Sequence, residues 1–208
     1  HLLSRRQRQM CIRDRDFWLE KDSSFLNCRM RIVNEGKEVV PMYWWSNMAV
    51  PEYKNGRVVV PAVQAFTSRG TQVTKVDLPI VENIDISDYT AIKKSVDYFF
   101  DIPAGCPKYI ANIDETGYGL LQISTDRLRS RKLFSWGNHQ ASDHWQEFLT
   151  DRAGRYVEIQ AGPLRADVPR KLSAAGGQAQ SLTYRIHCLT GLVPPAKGTE
   201  VLLSLIHI

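Results

Sequence analysis

Apolar and polar residues alternate along several short stretches of this chain. Between Leu26 and Ile32 every second residue is apolar, and asparagine or arginine stands at the positions between. A period of two predicts a β-strand with one buried and one solvent-facing side. Stretches of comparable length predict further strands at residues 39–50, 57–60, 72–76, 96–101, 108–113, 119–125, 132–136 and 155–161. Short strands at this spacing predict an all-β sandwich or barrel rather than alternating strands and helices.

Turn residues separate these stretches. Residues 34–37 (Asn-Glu-Gly-Lys) predict one turn, and the Asn55-Gly56 pair predicts another. An Asn-Gly pair is a strong hairpin signal, because both residues adopt positive φ at low cost. It leads from the strand at 39–50, which stops at Pro51, to the strand at 57–60.

One short helix interrupts the predicted strands. Ser142 is a suitable N-cap, and Gly154 ends the run. Three large apolar residues share one helix face between them: Trp145, Phe148 and Leu149. We therefore predict one or two helical turns between the strands at 132–136 and 155–161.

The two ends of the chain differ from the stretch between them. Residues 1–15 have neither the apolar core of a secretory signal nor the character of a transit peptide, and residues 202–208 are a short apolar run. Both resemble translated linker sequence of the kind found at the ends of metagenomic reads; a basic arm and a terminal strand are the alternative. After Gly162 periodicity is lost, apart from one strand candidate at 182–188. We predict a non-native tail at 1–15, a β-sandwich domain at 16–162 and an irregular tail at 163–208.

Charge and composition exclude several function classes. Hydrophobic residues make up 43% of the 208 residues and charged residues 24%, which is typical of a chain with a packed core. The net charge is +5, but five arginines and one aspartate within residues 1–15 account for most of it, so the rest lacks the basic face that nucleic acid needs. No run reaches the roughly 18 apolar residues of a membrane span. We expect neither nucleic acid nor a membrane as partner, and the oligomeric state stays open.

The cysteines predict neither a zinc site nor a disulfide framework. They are far apart in the sequence: Cys11, Cys28, Cys106 and Cys188. Cys28 alternates with apolar residues, so we expect it to be a small buried hydrophobic residue. Few cysteines in a chain of this length favour a reducing compartment, and we predict a cytoplasmic protein. The sequence contains no P-loop, Gly-x-Ser-x-Gly or dinucleotide-binding motif, and we expect no cofactor.

The strand at 155–161 carries the main candidate for chemistry. If its apolar residues face the core, its other side presents an aromatic ring, a carboxylate and an amide, from Tyr156, Glu158 and Gln160. Carboxylates and amides bind sugar hydroxyls, and an aromatic ring packs on the apolar face of a pyranose. A carboxylate on a rigid strand is also the usual acid, base or nucleophile of glycoside chemistry. The alternative is the solvated outer face of an ordinary antiparallel strand.

An aromatic strand at 41–51 is the second candidate. Trp44 and Trp45 are adjacent, so in a strand one of them faces the core and the other the opposite side. Tyr43 and Asn47 alternate with Trp45 and share its face. A buried amide needs hydrogen-bonding partners, so Asn47 favours a cleft over the core for this face. Trp45 and Asn47 are therefore candidate sugar-binding residues.

The segment around Trp136 is the third candidate, since Gly137 lets the backbone turn or be approached closely there. His139 and His144 are five residues apart, which is not the spacing of a helical metal pair, and we predict no metal. Either histidine is a candidate proton donor, with a surface role as the alternative. The basic run at 124–132 is predicted to be a solvated loop rather than an anion site.

Five segments together resemble one bacterial family. They are PMYWWSNMAVPE, DYFFDIP, GLLQISTDRLRSRKLFSWG, HWQEFLTD and GRYVEIQAG, in this order within residues 16–162. These residues resemble the uncharacterised domain that precedes tetratricopeptide repeats in large bacterial proteins, which is placed in the galactose-mutarotase-like superfamily. The resemblance implies an antiparallel β-supersandwich whose concave face binds sugars. It also implies that the domain is incomplete here, with its front missing.

The resemblance carries over to two positions of the candidate site. In mutarotase-like enzymes a glutamate on a late strand often acts as the base, and a histidine follows an asparagine-containing strand. Glu158 matches the first role in place and context. Asn47 lies on a comparable strand, but its neighbours are tryptophans and no histidine is near, which departs from the usual acid–base pair of mutarotation. Family membership does not itself establish a reaction.

Two functional hypotheses therefore stand beside each other. The first is a glycoside-processing enzyme, hydrolase or epimerase-like, in which Glu158 is the acid, base or nucleophile. In it the sugar is positioned by Trp45, Asn47, Trp136, Tyr156 and Gln160. The second is a non-catalytic glycan-binding or scaffolding module attached to a tetratricopeptide-repeat region.

Overall fold

A computed structural model of the chain describes residues 12–33, 40–41, 44–163, 173–174 and 179–189. The strands of these ranges are β1 (Ile12–Leu19), β2 (Phe25–Val33), β3 (Val40–Pro41), β4 (Ser46–Pro51), β5 (Arg57–Val59), β6 (Gln64–Arg69), β7 (Gln72–Asp77), β8 (Ile80–Val81), β9 (Ile84–Asp85), β10 (Val96–Phe100), β11 (Lys108–Ile113), β12 (Gly119–Ser124), β13 (Ser130–Ser135), β14 (Tyr156–Gly162), β15 (Ser173–Ala174) and β16 (Ala179–Leu189). The helices are α1 (Gln140–Thr150) and a short 3-10 helix, Tyr89–Ala91. No helix of the described part is long and apolar enough to cross a membrane.

Two six-stranded antiparallel sheets pack face to face. The first sheet has the order β1-β2-β16-β12-β11-β5, and the second has the order β4-β14-β13-β10-β6-β7. The main core cluster joins them, since it combines Val58 and Ile110 of the first sheet with Leu133 and Ile159 of the second. The prediction of an all-β sandwich is confirmed.

Most of the predicted strands are present, with ends shifted by a few residues. In β2, Cys28, Met30 and Ile32 are buried, as the alternating pattern predicts. Asn27 is the exception, because it lies on the polar side of the pattern and is nevertheless buried. The pattern does not predict β6, whose sequence Gln-Ala-Phe-Thr-Ser-Arg is mostly polar although the strand lies inside the second sheet.

The turn at Asn55-Gly56 is present, but the predicted hairpin is wrong. β4 belongs to the second sheet and β5 to the first, so this turn carries the chain from one sheet to the other. Asn55 has a φ of 58°, and a Cβ on Gly56 would lie 2.0 Å from the hydroxyl oxygen of Tyr89. That hydroxyl accepts a hydrogen bond from the backbone N–H of Tyr53 at 3.0 Å. Tyr89 therefore packs directly against this turn.

Helix α1 lies where the sequence predicts it, but at 11 residues it is longer than the predicted one or two turns, and its cap and its buried face differ. His139 is the N-cap, and its Nδ1 accepts from the backbone N–H of Ser142 at 3.3 Å. Ser142 and Gln146 are the buried residues of the helix, and Gln146 Oε1 accepts from the backbone N–H of Tyr156 at 2.8 Å. The large apolar side chains are instead more than half exposed: Trp145, Phe148 and Leu149. Polar side chains thus attach α1 to the second sheet.

The basic run at 124–132 forms the predicted solvated loop only at residues 125–127 and 129, which are exposed. Arg131 is completely buried, and its guanidinium donates to the backbone carbonyls of Leu128, Ser130 and Lys108. Burial lowers the pKa of Arg131 to about 9. Arg131 lies at the start of β13 and its hydrogen bond to Lys108 connects β13 to β11, so Arg131 has a structural role.

The division of the chain at residues 16 and 162 stays a prediction. β1 begins at Ile12 and pairs with β2, and an ion pair of 2.6 Å joins Asp16 to Arg29. The strand candidate at 182–188 is confirmed within β16, which pairs with β2 and β12 inside the first sheet. The first sheet therefore includes parts of both predicted tails. The predicted turn at 34–37, Cys11 and Tyr43 lie outside the described residues.

Candidate functional site

Strand β14 has two chemically distinct faces. Its apolar residues are fully buried in the core: Val157, Ile159 and Ala161. Tyr156, Glu158 and Gln160 alternate with them and lie on the opposite side of the strand. The orientation that the sequence predicts for this strand is confirmed. We call this side of the second sheet, which points away from the first sheet, the outer face.

The register of the second sheet sets the neighbours of Glu158 on the outer face. Residues directly opposite each other on antiparallel strands point to the same side. Glu158 is opposite Ala49 on β4 and opposite Phe134 on β13. Phe134 is in turn opposite Asp97 on β10. Two carboxylates therefore lie in one row across the sheet, separated by an aromatic residue.

The neighbouring row contains amides, an ammonium group and a second aromatic ring. Gln160 is opposite Asn47 on β4 and opposite Lys132 on β13. Lys132 is opposite Phe99 on β10. The structure thus brings Asn47, Glu158 and Gln160 together from two strands that are far apart in the sequence.

Two amides hold the carboxylate of Glu158. Asn47 Nδ2 donates to Glu158 Oε2 at 2.6 Å, and Gln160 Nε2 donates to the same oxygen at 3.0 Å. Both hydrogen bonds end on Oε2, so they fix the orientation of the carboxylate while Oε1 takes no part in them. A carboxylate held in this way can place its second oxygen against a ligand.

Aromatic rings stand beside Glu158 at the start of β14. Tyr156 and Trp136 pack edge to face with ring centroids 6.0 Å apart, and Trp136 packs in the same manner on Phe134 at 4.9 Å. Such contacts fix the rings relative to one another. Burial raises the pKa of Tyr156, and the charge of Glu158 raises it further. The phenol therefore stays protonated at neutral pH and is available as a hydrogen-bond donor.

The two adjacent tryptophans face opposite sides, as the sequence predicts. Trp44 is buried in the core. Trp45 lies on the outer face and crosses β14 at Gly162, where an added Cβ would lie 2.5 Å from the Trp45 ring. It meets Phe99 edge to face at 5.7 Å, and Lys132 Nζ lies 5.9 Å from the Trp45 ring centroid. Trp45 therefore flanks the amides on the side away from Tyr156.

Sequence reasoning missed Lys132, Asp97, Phe99 and Phe134 as members of this face. Lys132 Nζ forms an ion pair with Asp97 at 2.9 Å and lies 5.2 Å from the Phe99 ring centroid. The sequence predicts both strands that carry these residues, β10 and β13, and the period of two already places them on the side away from the core. Their position beside Glu158 depends on the strand order and register, which the period does not contain.

The histidines lie apart from the groups that hold Glu158. His139 caps α1, with Nε2 at 3.5 Å from the hydroxyl oxygen of Ser95. His144 is exposed on the same helix. Among the residues that the structure describes, no group of three His, Cys, Asp or Glu side chains is placed to hold a metal ion.

A cavity of about 660 Å³ lies away from the outer face. Its lining is largely apolar and includes Val58, Val60, Leu78, Ile86 and Phe100. None of the six candidate site residues lines it. The chemistry of the candidate site therefore identifies it, and this cavity does not.

Solved structures share this fold. The chain resembles a TPR-domain containing protein from Parabacteroides distasonis, with a TM-score of 0.71 and 23% identity over 86% of this chain and 30% of that one. It also resembles a putative aldose 1-epimerase from Escherichia coli K12 (TM-score 0.59, 14% identity, 86% of this chain, 60% of that one). A putative aldose 1-epimerase from Klebsiella pneumoniae is a further match (TM-score 0.55, 11% identity, 95% and 55%). The chain thus spans less than two thirds of each of these proteins, and the likeness shows an antiparallel sandwich of the galactose-mutarotase-like type.

A family match covers most of the chain, including every candidate site residue. The match runs over residues 5–182 and therefore extends beyond both predicted domain boundaries. The match agrees with the predicted resemblance to an uncharacterised domain, and the fold shared with the solved structures agrees with its mutarotase-like type. The position ahead of tetratricopeptide repeats stays a prediction. The chain belongs to the family described as a domain of unknown function, DUF5107.

Proposed function

We propose that the outer face binds a carbohydrate and that Glu158 is the catalytic residue of a glycoside-processing reaction. The observation that carries this proposal is the Glu158 carboxylate, held by Asn47 and Gln160 and flanked by aromatic rings. Amides and carboxylates match sugar hydroxyls, and the rings of Trp136 and Tyr156 match the apolar face of a pyranose. Two similar structures are named as putative aldose 1-epimerases, which supports a sugar ligand.

The hydrogen bonds of Glu158 favour a role as base or nucleophile over a role as acid. Amide N–H groups donate to a carboxylate oxygen, and both donors here end on Oε2. Oε1 is then the oxygen that meets the substrate. As a base, Glu158 breaks one O–H bond of water or of a sugar hydroxyl, and the proton moves to Oε1.

A non-catalytic glycan-binding or scaffolding module is the second candidate, and one observation favours it. Asp97, the other carboxylate in the row of Glu158, is paired with Lys132 at 2.9 Å. Glycosidases use two carboxyl groups on either side of the bond, and an ion-paired Asp97 is poorly placed to serve as the second. The structural match to a TPR-domain containing protein supports attachment of such a module to a repeat region.

Replacement of Glu158 by glutamine separates the two candidates. The 208-residue chain and its Glu158→Gln variant are incubated with a panel of oligosaccharides and aryl glycosides, and product release and tryptophan fluorescence are both followed. For the enzyme, we expect the variant to lose turnover by at least about a hundredfold, with sugar-dependent fluorescence retained. The matched control is Glu115→Gln, because Glu115 Oε2 also accepts from an asparagine, Asn55, at 2.6 Å.

Each result decides between specific alternatives. Turnover that survives in Glu158→Gln, or that falls equally in Glu115→Gln, contradicts the catalytic role of Glu158. Sugar-dependent fluorescence in both proteins without turnover on any substrate supports the binding module. The absence of both signals over the whole panel contradicts a carbohydrate function.

A further inference from the structure

Aromatic groups lie on both sides of Glu158 along β14. On one side Tyr156 is two residues away and packs against Trp136. On the other side Trp45 crosses the strand at Gly162, four residues from Glu158. A strand advances about 3.4 Å per residue, so the backbone positions of Tyr156 and Gly162 are roughly 20 Å apart.

Hydrogen-bonding groups occupy the interval between these aromatic groups. Asn47, Glu158 and Gln160 lie there, with Lys132 opposite Gln160. The sequence of groups along the strand is therefore aromatic, carboxylate, amides and aromatic. A ligand that uses all of them has apolar surfaces at two separate places and hydroxyl groups between them.

The negative charge of Glu158 restricts the chemical class of this ligand. The ammonium group of Lys132 is paired with Asp97, so the carboxylate of Glu158 has no cation among the partners that hold it. An anionic sugar would meet this negative charge directly, and like charges at close range are unfavourable. The surroundings of Glu158 therefore favour a neutral sugar.

We propose that the ligand is a neutral oligosaccharide that lies along β14, with sugar units on both sides of the Glu158 carboxylate. This inference rests on the proposed function and specifies the substrate class of the same site. A single sugar ring stacks on Trp136 or on Trp45 but cannot reach both, because the strand positions that they pack on, Tyr156 and Gly162, are roughly 20 Å apart. The units over Trp45 and over Trp136 then occupy two separate subsites, and Glu158 faces the linkage between them.

Calorimetric titration with sugars of increasing length tests this proposal. The probes are linear series of one to six glucose, galactose, mannose or xylose units, and the Glu158→Gln chain is used so that no bond is cleaved. We expect the tetrasaccharide of one series to bind at least about tenfold more tightly than its monosaccharide, because a second ring stacks. Trp45→Ala and Trp136→Ala should each weaken tetrasaccharide binding about tenfold. Only one of these two changes should weaken monosaccharide binding.

Two further variants separate a lost subsite from a damaged fold. Trp45→Phe keeps an aromatic ring and should retain most of the tetrasaccharide affinity. Trp145→Ala removes an exposed tryptophan of α1 and should change nothing. A monosaccharide that binds as tightly as its tetrasaccharide overturns this inference but leaves the proposed function standing. A complete lack of binding over all series contradicts both.

Discussion

The inner and the outer face of the second sheet belong to the same strands but differ in what they contribute. The inner face packs against the first sheet, and on β14 its residues are completely buried. The outer face carries aromatic, amide and carboxylate side chains that contact one another, and of these Asn47 is exposed, Glu158 is partly exposed and Gln160 is buried. We therefore expect stability to depend mainly on the inner face and the proposed function to depend on the outer one. Changes on the two faces should have separable effects.

The largest expected effect is the loss of stability from a truncation on the inner face. Ile159 is fully buried between Met48 of β4 and Leu133 of β13. Ile159→Ala removes buried apolar atoms and leaves a cavity, so we expect the free energy of unfolding to fall by about 2–5 kcal/mol. Ile159→Val should cost only about 0.5–1.5 kcal/mol. Urea unfolding measures both, and equal losses for the two variants would contradict the tight packing described for this face.

Gly162 of β14 lies directly under the ring of Trp45, and the effect of its replacement comes next in size. Gly162→Ala introduces a Cβ only 2.5 Å from the ring of Trp45, so the ring has to move. We expect a loss of about 1–3 kcal/mol from overpacking, together with weaker oligosaccharide binding. Gly154→Ala is a comparison, because an added Cβ there meets no atom within 4 Å although its φ of 101° is strained. If Gly162→Ala binds oligosaccharide as tightly as the parent chain, sugar binding does not depend on the position of the Trp45 ring over β14.

A change confined to the outer face should alter function with little effect on stability. Asn47 is exposed and donates to Glu158 Oε2 at 2.6 Å. Asn47→Ala removes one of two groups that orient the carboxylate, and we expect turnover to fall between about tenfold and a hundredfold. The free energy of unfolding should stay within about 0.5 kcal/mol of the parent value. Gln64→Ala is the control, because Gln64 is also a strand amide of the second sheet that donates to a carboxylate, Asp77 Oδ1, at 2.8 Å.

The sequence predicts the faces of individual strands better than their arrangement. Period-two alternation places Val157 inside and Glu158 outside, and it separates Trp44 from Trp45, because these are local properties of one strand. It does not predict that β4 pairs with β14 or that Lys132 lies beside Gln160, since such pairs depend on strand order and register.

Helix α1 shows the same limit. Its apolar side is exposed because the polar side chains of Ser142 and Gln146 form the contacts with the rest of the fold, and amphipathic spacing alone does not predict this. The prediction of a hairpin at Asn55-Gly56 was wrong for a similar reason, since β5 pairs with β11 in the first sheet and local turn residues do not determine strand partners.

The smallest expected effect is a shift in the titration of Tyr156. Burial raises the pKa of this phenol above its usual value of 10.0, and the negative charge of Glu158 adds to the increase. A phenol with a raised folded-state pKa stabilises the fold below its unfolded pKa, and this contribution is lost as the pH rises through the folded value. Glu158→Gln removes the charge, so Tyr156 should ionise at a lower pH in that variant. Tyrosinate absorbance is followed against pH in the parent chain and in Glu158→Gln. Subtracting the titration of the matching Tyr156→Phe variant from each isolates Tyr156 from the other seven tyrosines. An unchanged titration would mean that the carboxylate of Glu158 is not held close to the phenol, and that the outer face is less ordered than its hydrogen bonds indicate.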